Sequence, residues 1–198
     1  MFRQIIALAC AALPLSALAA VESYTIDPVH SFPIFTVEHL GLSNFYGRVN
    51  KTAGKVTIDR AARTASLDVS MDAASIDTAD NDKGSRPRSR DEHLRSADFF
   101  NAAEFPKIFY KSTKVNFTGD TPSSIEGNLT MLGVTRPLTL TVERFKCNLN
   151  VPNRKDRCGG NATGKIKRSD FGMKYGIPSI GDEITLMLQW EGDRDAAP

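Results

Sequence analysis

Residues 65–73 read Ala-Ser-Leu-Asp-Val-Ser-Met-Asp-Ala, and apolar and polar side chains alternate along them without a break. Successive side chains of a β-strand point to opposite faces of its sheet, so this segment has one apolar and one polar face. A strand of a parallel sheet, which is covered on both faces, would be apolar throughout. The segment therefore predicts an antiparallel strand with one face on a core.

The same alternation continues through much of the chain, most clearly at 124–131, 138–143 and 184–190. Turn-forming segments such as 60–63 and 119–122 separate these runs. We expect about eight strands, or nine if the marginal first one is included, at 22–26, 33–40, 45–58, 64–74, 107–117, 123–131, 137–147, 161–168 and 183–190. Many short strands of this kind are typical of a barrel or a sandwich, and the alternation alone leaves both open.

The long gap from Asp77 to Pro106 is predicted to carry a helix. Ser89, with Glu92 three residues later, forms a capping-box pattern, so the helix should begin near Arg90. We expect it to end at Asp98 or Asn101. A charged helix followed at once by two phenylalanines indicates a helix that lies across a mouth with an apolar lining.

The beginning of the chain has the pattern of an export signal. Arg3 supplies the positive charge, Ile5–Leu18 the apolar stretch, and Ala17–Ala19 the small-residue cleavage pattern. We therefore expect residues 1–20 to be a cleaved signal peptide and residues 21–198 to be one mature domain. The apolar stretch is too short to span a bilayer comfortably, and no second stretch of that length follows.

Charge and cysteine content limit the remaining possibilities. Of the 25 basic and 23 acidic side chains only Arg3 lies in the signal, so the mature chain carries a net charge near +1. Such a balance argues against a nucleic-acid partner. Cys147 and Cys158 remain after cleavage, and two cysteines in an oxidising compartment usually pair. Their disulfide would close a hairpin and stabilise the fold by about 3 kcal/mol.

The sequence resembles the YceI family of periplasmic, lipocalin-like proteins that bind polyisoprenoid lipids. The resemblance runs from about Tyr24 to Trp190. The segments that carry it are His30-Ser31, 35–41, 75–78, 90–100 with 105–112, 127–135 and 168–173. It implies a single eight-stranded antiparallel lipocalin-like barrel with a short helix capping one side, and an exported protein that carries or sequesters a prenyl phosphate-type lipid, an isoprenoid quinone or a similar amphipathic lipid.

Polar residues at strand ends are candidates for the lipid head group. His39 shares the inward parity of Phe35 and Val37, and Arg168 shares that of Ile166. A guanidinium beside an apolar lining is costly unless it is paired or near water, and its planar fork suits phosphate oxygens. The predicted head-group residues are His39, Arg168, Arg90, His93 and His30. The alternative is that Arg168 pairs with Asp170, Asp91 or Asp77 and only latches the barrel closed.

Apolar residues at inward positions and around the helix are candidates for the lining of the lipid tail. The predicted set is Phe35, Val37, Leu67, Val69, Phe99, Phe100, Phe105, Phe109, Leu129, Leu140, Ile166, Phe171 and Met173. Any one of these aromatic residues could equally be plain core. Gly127 and Gly164 also occupy inward positions, where they either leave room for a ligand or mark bends that close the barrel.

The sequence shows no assembled catalytic or cofactor motif. His30, His39 and His93 are not spaced as metal ligands usually are, and neither a G-x-S-x-G nor an H-E-x-x-H pattern occurs. We expect a binding protein with no catalytic residues, no metal and no cofactor. A periplasmic structural or stress-related barrel with a filled core remains the main alternative, and a histidine-metal enzyme the weaker one. The oligomeric state, including a homodimer, is left open.

Overall fold

The computed structural model describes residues 21–196 except Val151 and Asn153, so the expected signal peptide lies outside the described residues. The strands are β1 (Glu22–Ile26), β2 (Phe32–His39), β3 (Ser43–Val49), β4 (Thr52–Asp59), β5 (Thr64–Asp72), β6 (Ile76–Asp77), β7 (Lys107–Thr118), β8 (Thr121–Met131), β9 (Val134–Asn148), β10 (Arg157–Lys167) and β11 (Ile180–Arg194). The helix α1 (Arg90–Arg95) lies between β6 and β7, and single 3-10 turns occupy Ala73–Ser75 and Arg168–Phe171.

Eight strands close into an antiparallel barrel, which confirms the predicted fold. Their order around the barrel is β1, β4, β5, β7, β8, β9, β10 and β11, and β11 returns to pair with β1. Only the last residues of β11 pair with β1; the earlier part of the same edge pairs with β2. Strands β3 and β6 then follow β2 as an extension at one end of the barrel.

The predicted strand 45–58 is two strands. The chain bends at Asn50 and Lys51, where the backbone N–H groups donate to the carbonyl and hydroxyl oxygens of Ser75 instead of to a neighbouring strand. Before the bend β3 pairs with β2, and after it β4 pairs with β1. The bend therefore lets one continuous segment serve both the extension and the closed barrel.

Helix α1 begins where the capping box predicts. The Ser89 hydroxyl accepts from the backbone N–H of Glu92 at 3.1 Å, and the Glu92 carboxylate accepts from that of Ser89 at 2.8 Å. The helix ends earlier than expected, at Arg95. Arg95 donates to the carbonyl oxygen of Ile76 in β6, so the helix is held against the extension and covers that end of the barrel.

The predicted disulfide is present between Cys147 and Cys158, which face each other across β9 and β10. Among the described residues, no helix has the length and apolar character needed to cross a membrane.

Candidate ligand-binding site

A cavity of about 490 Å³ lies inside the barrel and opens beside α1. Its size falls within the range of roughly 300–1,000 Å³ that is usual for small-molecule sites. The lining is largely aliphatic and aromatic, because each strand turns its apolar face inward. On β5, for example, Leu67, Val69 and Met71 line the cavity while Ser66 and Asp68 are exposed. The interior is therefore incompletely filled by the protein's own side chains.

Most of the predicted tail-lining residues do line this cavity. They are Phe35, Val37, Leu67, Val69, Phe99, Phe100, Leu129, Leu140, Ile166 and Met173. These residues come from five strands, from the segment after α1 and from the segment after the second 3-10 turn, so only the closed fold brings them together.

The prediction for Phe109 is wrong. Its neighbours Ile108 and Tyr110 are buried and line the cavity, so the alternation of β7 turns Phe109 to the outer face, where it is 45% exposed.

Phe105 and Phe171 also lie outside the lining. Phe105 is half-buried and packs beside the turn at Gly133. Phe171 is fully buried in the apolar core but does not reach the cavity wall. Neither residue lies in a strand, so strand parity could not determine where their rings point.

Arg168 is the most deeply buried charged side chain at the cavity wall, with 2% of its surface exposed. Nε donates to the carbonyl oxygen of Gly181 at 2.8 Å, Nη2 to that of Ile180 at 2.8 Å, and Nη1 to that of Met173 at 3.2 Å. Burial lowers the pKa of the guanidinium, an effect opposed by the charge of Asp182. Arginine nevertheless remains charged near neutral pH.

Arg168 connects backbone segments through carbonyl oxygens, and the carboxylates that the latch alternative named do not take part. Within the described part of the chain, no carboxylate forms an ion pair with Arg168, so Asp170, Asp91 and Asp77 are not its partners. Asp91 instead accepts from the backbone N–H and the hydroxyl of Thr78. Three carbonyl oxygens satisfy hydrogen bonds but do not neutralise a positive charge, and Asp182 acts on the guanidinium only from beyond ion-pair distance, so a cation without a direct ionic partner remains in the cavity wall.

A second cation, Arg90, lies at the mouth. Its Nε donates to the Thr78 hydroxyl at 2.8 Å and its Nη2 to the Thr78 carbonyl oxygen at 3.0 Å. The guanidinium carbon lies 4.7 Å from the centre of the Phe45 ring. His39 stacks on the same ring at 4.3 Å. Phe45 thus joins two predicted head-group residues, although it was not itself predicted.

His93, also on α1, lines the cavity and contacts both charged and aromatic groups. Its Nε2 lies 2.9 Å from the Asp98 carboxylate and 2.6 Å from Nη2 of Arg88. The hydrogen bond with His93, followed by that from Arg88, holds the pKa of Asp98 below its usual value. The His93 ring also packs edge-on against Phe99 and Tyr175.

The prediction for His30 is wrong. It lies in the loop between β1 and β2, where Nδ1 is 2.7 Å from the Asp27 carboxylate, and it does not line the cavity. Strand pairing explains the separation: the residues near His30 pair with the far end of β11, whereas His39 pairs with Ile180 at its beginning. The three histidines therefore make separate contacts.

The two inward glycines make room for neighbouring side chains. A Cβ atom on Gly127 would lie 2.6 Å from the Tyr110 ring. A Cβ atom on Gly164 would lie 2.8 Å from Leu140. The Tyr110 hydroxyl lies 3.1 Å from the carbonyl oxygens of Ile125 and Leu138 and can donate to either. Tyr110, like Phe45, belongs to the lining and was not predicted, although its alternation with Phe109 could have identified it.

Comparison with known proteins agrees with this geometry. The family model described as YceI-like domain matches residues 24–192. Protein YceI of Escherichia coli O17:K52:H18 is 36% identical over 196 residues, which make up 97% of this chain and 98% of that relative. The sequence match therefore covers every strand of the barrel.

Solved structures show the same fold. A Campylobacter jejuni YCEI protein superposes with a TM-score of 0.64 at 27% identity, over 80% of this chain and 90% of that one. A polyisoprenoid binding domain from Saccharophagus degradans superposes with a TM-score of 0.60 at 14% identity, over 87% of this chain and 98% of that one. The predicted antiparallel barrel is thus shared with proteins of very different sequence.

Proposed function

The chain belongs to the YceI-like domain family, and we propose that it binds a polyisoprenoid or similarly long amphipathic lipid in its barrel. The observation that carries the proposal is the cavity of about 490 Å³, which is apolar along its length and has cations at its mouth. A barrel with a filled core, the main alternative, would not leave such a space. The polyisoprenoid binding domain with the same fold supports the choice of ligand class.

The tail of the lipid occupies the apolar interior. Each methylene-sized group moved from water into such a lining contributes about 0.8 kcal/mol. Affinity should therefore rise with the length of the prenyl chain until the cavity is full, and then level off. Titration with prenyl alcohols of increasing length measures this dependence.

The head group lies at the mouth, where Arg90 and Arg168 carry charge that no carboxylate in the described residues neutralises by an ion pair. A phosphate would accept from the guanidinium N–H groups and compensate this charge. His39 and His93 flank the same opening. We therefore favour a prenyl phosphate-type lipid over an isoprenoid quinone, which brings no negative charge.

The function is binding without catalysis, and the location we propose is the periplasm. The pattern of Arg3, the apolar stretch and Ala17–Ala19 supports export. Sequencing the N-terminus of protein from a periplasmic fraction should give Ala20 or Val21 as the first residue. An N-terminus at Met1 in that fraction would contradict cleavage of the signal.

The first experiment is native mass spectrometry of protein released gently from the periplasm, followed by organic extraction and mass analysis of the lipid. A discrete adduct with a prenyl fragment pattern is expected. A clean apo mass, together with no binding of added prenyl lipids, would support the filled-core alternative.

Two substitutions on β5 test whether the bound lipid detected by mass spectrometry occupies the cavity. Val69→Phe places a larger side chain inside the barrel, and Ser66→Phe places the same ring on the exposed face. We expect the first to lower lipid occupancy and the second to leave it unchanged. Equal occupancy in two folded variants would place the lipid elsewhere.

A further inference from the structure

Two turns beside the cavity mouth present large apolar side chains to solvent. Leu40 and Leu42, in the turn between β2 and β3, are 56% and 83% exposed. Tyr175 and Ile177, in the segment before β11, are exposed as well. We call these four residues the apolar rim.

The apolar rim is attached to the lining of the mouth. His39 and Phe45, which flank the first turn along the chain, both line the cavity. The backbone N–H of Leu40 donates to the carbonyl oxygen of Ser179 at 2.7 Å, so the two turns lie side by side. The Tyr175 ring lies 5.3 Å from that of Phe99, which also lines the cavity. Apolar surface is therefore continuous from the rim into the barrel.

In the first turn, the backbone conformation at position 40 is unfavourable for a leucine. Leu40 and Gly41 have φ angles of 58° and 66°, and the N–H of Leu42 donates to the carbonyl oxygen of His39. Positive φ at both central positions identifies a type I′ turn, in which the first position favours Asn, Asp or Gly. A bulky leucine in this region is uncommon and strained.

A second turn of the chain also places a leucine and a glycine at positive φ. Leu132 and Gly133, between β8 and β9, have φ angles of 53° and 72°. Leu132, however, is half-buried and packs against the apolar core, so burial compensates for its backbone. Leu40 has the same backbone and lies mostly in solvent. Among the described residues, Leu40 belongs to neither apolar cluster, so no such burial compensates for its backbone.

We propose that the apolar rim docks on a lipid bilayer and places the cavity mouth against the membrane, a role that rests on the proposed lipid-binding function. Leucines at the tip suit the acyl region, whereas the half-exposed Tyr175 has an apolar ring and a polar tip that suit the interface. The adjacent Lys174 is exposed and can meet lipid phosphates. Contact with a bilayer would let a prenyl tail enter the barrel without crossing water.

Vesicle flotation tests the proposal. The mature protein is mixed with vesicles of phosphatidylethanolamine and phosphatidylglycerol, and the bound fraction is compared with that of a Leu40→Asn/Leu42→Ser variant. We expect the bound fraction to fall at least about fivefold, because the variant loses most of the apolar surface that would enter the bilayer. Since Asn suits a type I′ turn, the thermal midpoint should not fall.

The matched control is Val29→Ser. Val29 is 73% exposed but lies in the loop near the opposite end of β11, so this variant should float like the parent. Vesicle binding that is unchanged in the double variant would overturn the proposal. Light scattering adds a second decisive outcome: if the parent is a dimer, fails to float and becomes monomeric in the double variant, the rim binds a second copy.

A separate readout distinguishes failure of the rim from failure of the lipid-binding function. Prenyl lipid offered in detergent micelles should load into both the parent and the double variant, whereas lipid offered in vesicles should load several-fold more slowly into the variant. No loading of the parent from micelles would contradict the proposed function. Normal loading from micelles with equal rates from vesicles would contradict the rim alone.

Discussion

Nη2 of Arg168 lies 2.8 Å from the carbonyl oxygen of Ile180, which ties the turn after β10 to the beginning of β11. The same guanidinium reaches Gly181 and Met173, so one side chain connects two backbone segments, the beginning of β11 and the segment at Met173, at the cavity mouth. These three hydrogen bonds of Arg168 determine the shape of the opening, and they place a positive charge beside it.

Replacing Arg168 by Met should lower the free energy of unfolding by about 3 kcal/mol, because three buried carbonyl oxygens lose a charged donor. Arg168→Lys should lose less, since the ammonium keeps the charge and can reach some of the same oxygens. Urea denaturation measures both. A loss under about 1 kcal/mol for the Met variant would mean that the carbonyl oxygens find other donors.

Thr52→Val should stabilise the protein. Thr52 lies inside the barrel with 7% of its surface exposed, and its hydroxyl oxygen has no hydrogen-bond partner among the described residues. Replacing an unsatisfied hydroxyl by a methyl group of the same shape should raise the free energy of unfolding by about 1 kcal/mol. Thr57→Val, on the same strand, is the control because its hydroxyl bonds to Ser66. A decrease for Thr52→Val would indicate a bonded water.

Gly127→Ala should destabilise the barrel by about 2 kcal/mol, because the new methyl group would overlap the Tyr110 ring and the carbonyl oxygen of Lys111. Denaturation of the single variants and of a Gly127→Ala/Tyr110→Leu double variant measures the coupling. We expect the double variant to lose less than the sum of the single losses, since removing the ring relieves part of the overlap. Strict additivity would contradict this account.

Asp195→Asn should lower stability in a pH-dependent way. Hydrogen bonds from Ser23, Thr25 and Lys55 lower the pKa of Asp195 to about 2. Because the folded-state pKa lies below that of the unfolded chain, the carboxylate contributes its full stability above about pH 4 and loses it as the pH falls toward about 2. Thermal denaturation from pH 2 to 7 should therefore show a gap between parent and variant that closes on acidification.

The matched control for the acidic residue is Asp120→Asn. Asp120 is 85% exposed and pairs only with the exposed Arg63, so its replacement should change stability little at any pH. A parent–variant gap for Asp195 that stays constant down to pH 2 would contradict the role given to its hydrogen bonds.

Local pattern predicted the strands well because side-chain parity is a local property. The alternation in 65–73 predicts both β5 and the inward direction of Leu67 and Val69, and the capping box predicts the first residue of α1. The same rule, applied to β7, would have placed Phe109 outside and Tyr110 inside. The error at Phe109 came from grouping aromatic residues by their nearness in sequence.

Other features depend on contacts between distant segments and could not be read locally. The break between β3 and β4 arises where Asn50 and Lys51 bond to Ser75. The partners of Arg168 are backbone carbonyl oxygens, which every residue possesses and which therefore leave no trace in the sequence. Phe45 became part of the mouth because both His39 and Arg90 converge on its ring. Closure into a barrel instead of a sandwich followed from the family resemblance.

The pairing of β11 with two different strands determines when the barrel interior can form. Its edge pairs with both β1 and β2, and the hydrogen bond between Thr25 and Asp195 joins residues 170 positions apart. Before this last strand docks, the earlier ones form at most a curved sheet with two open edges. Contacts so distant along the chain form slowly. The closed interior therefore exists only once β11 has docked on both of its neighbours, and a cargo is either enclosed at that step or passes through the mouth afterwards.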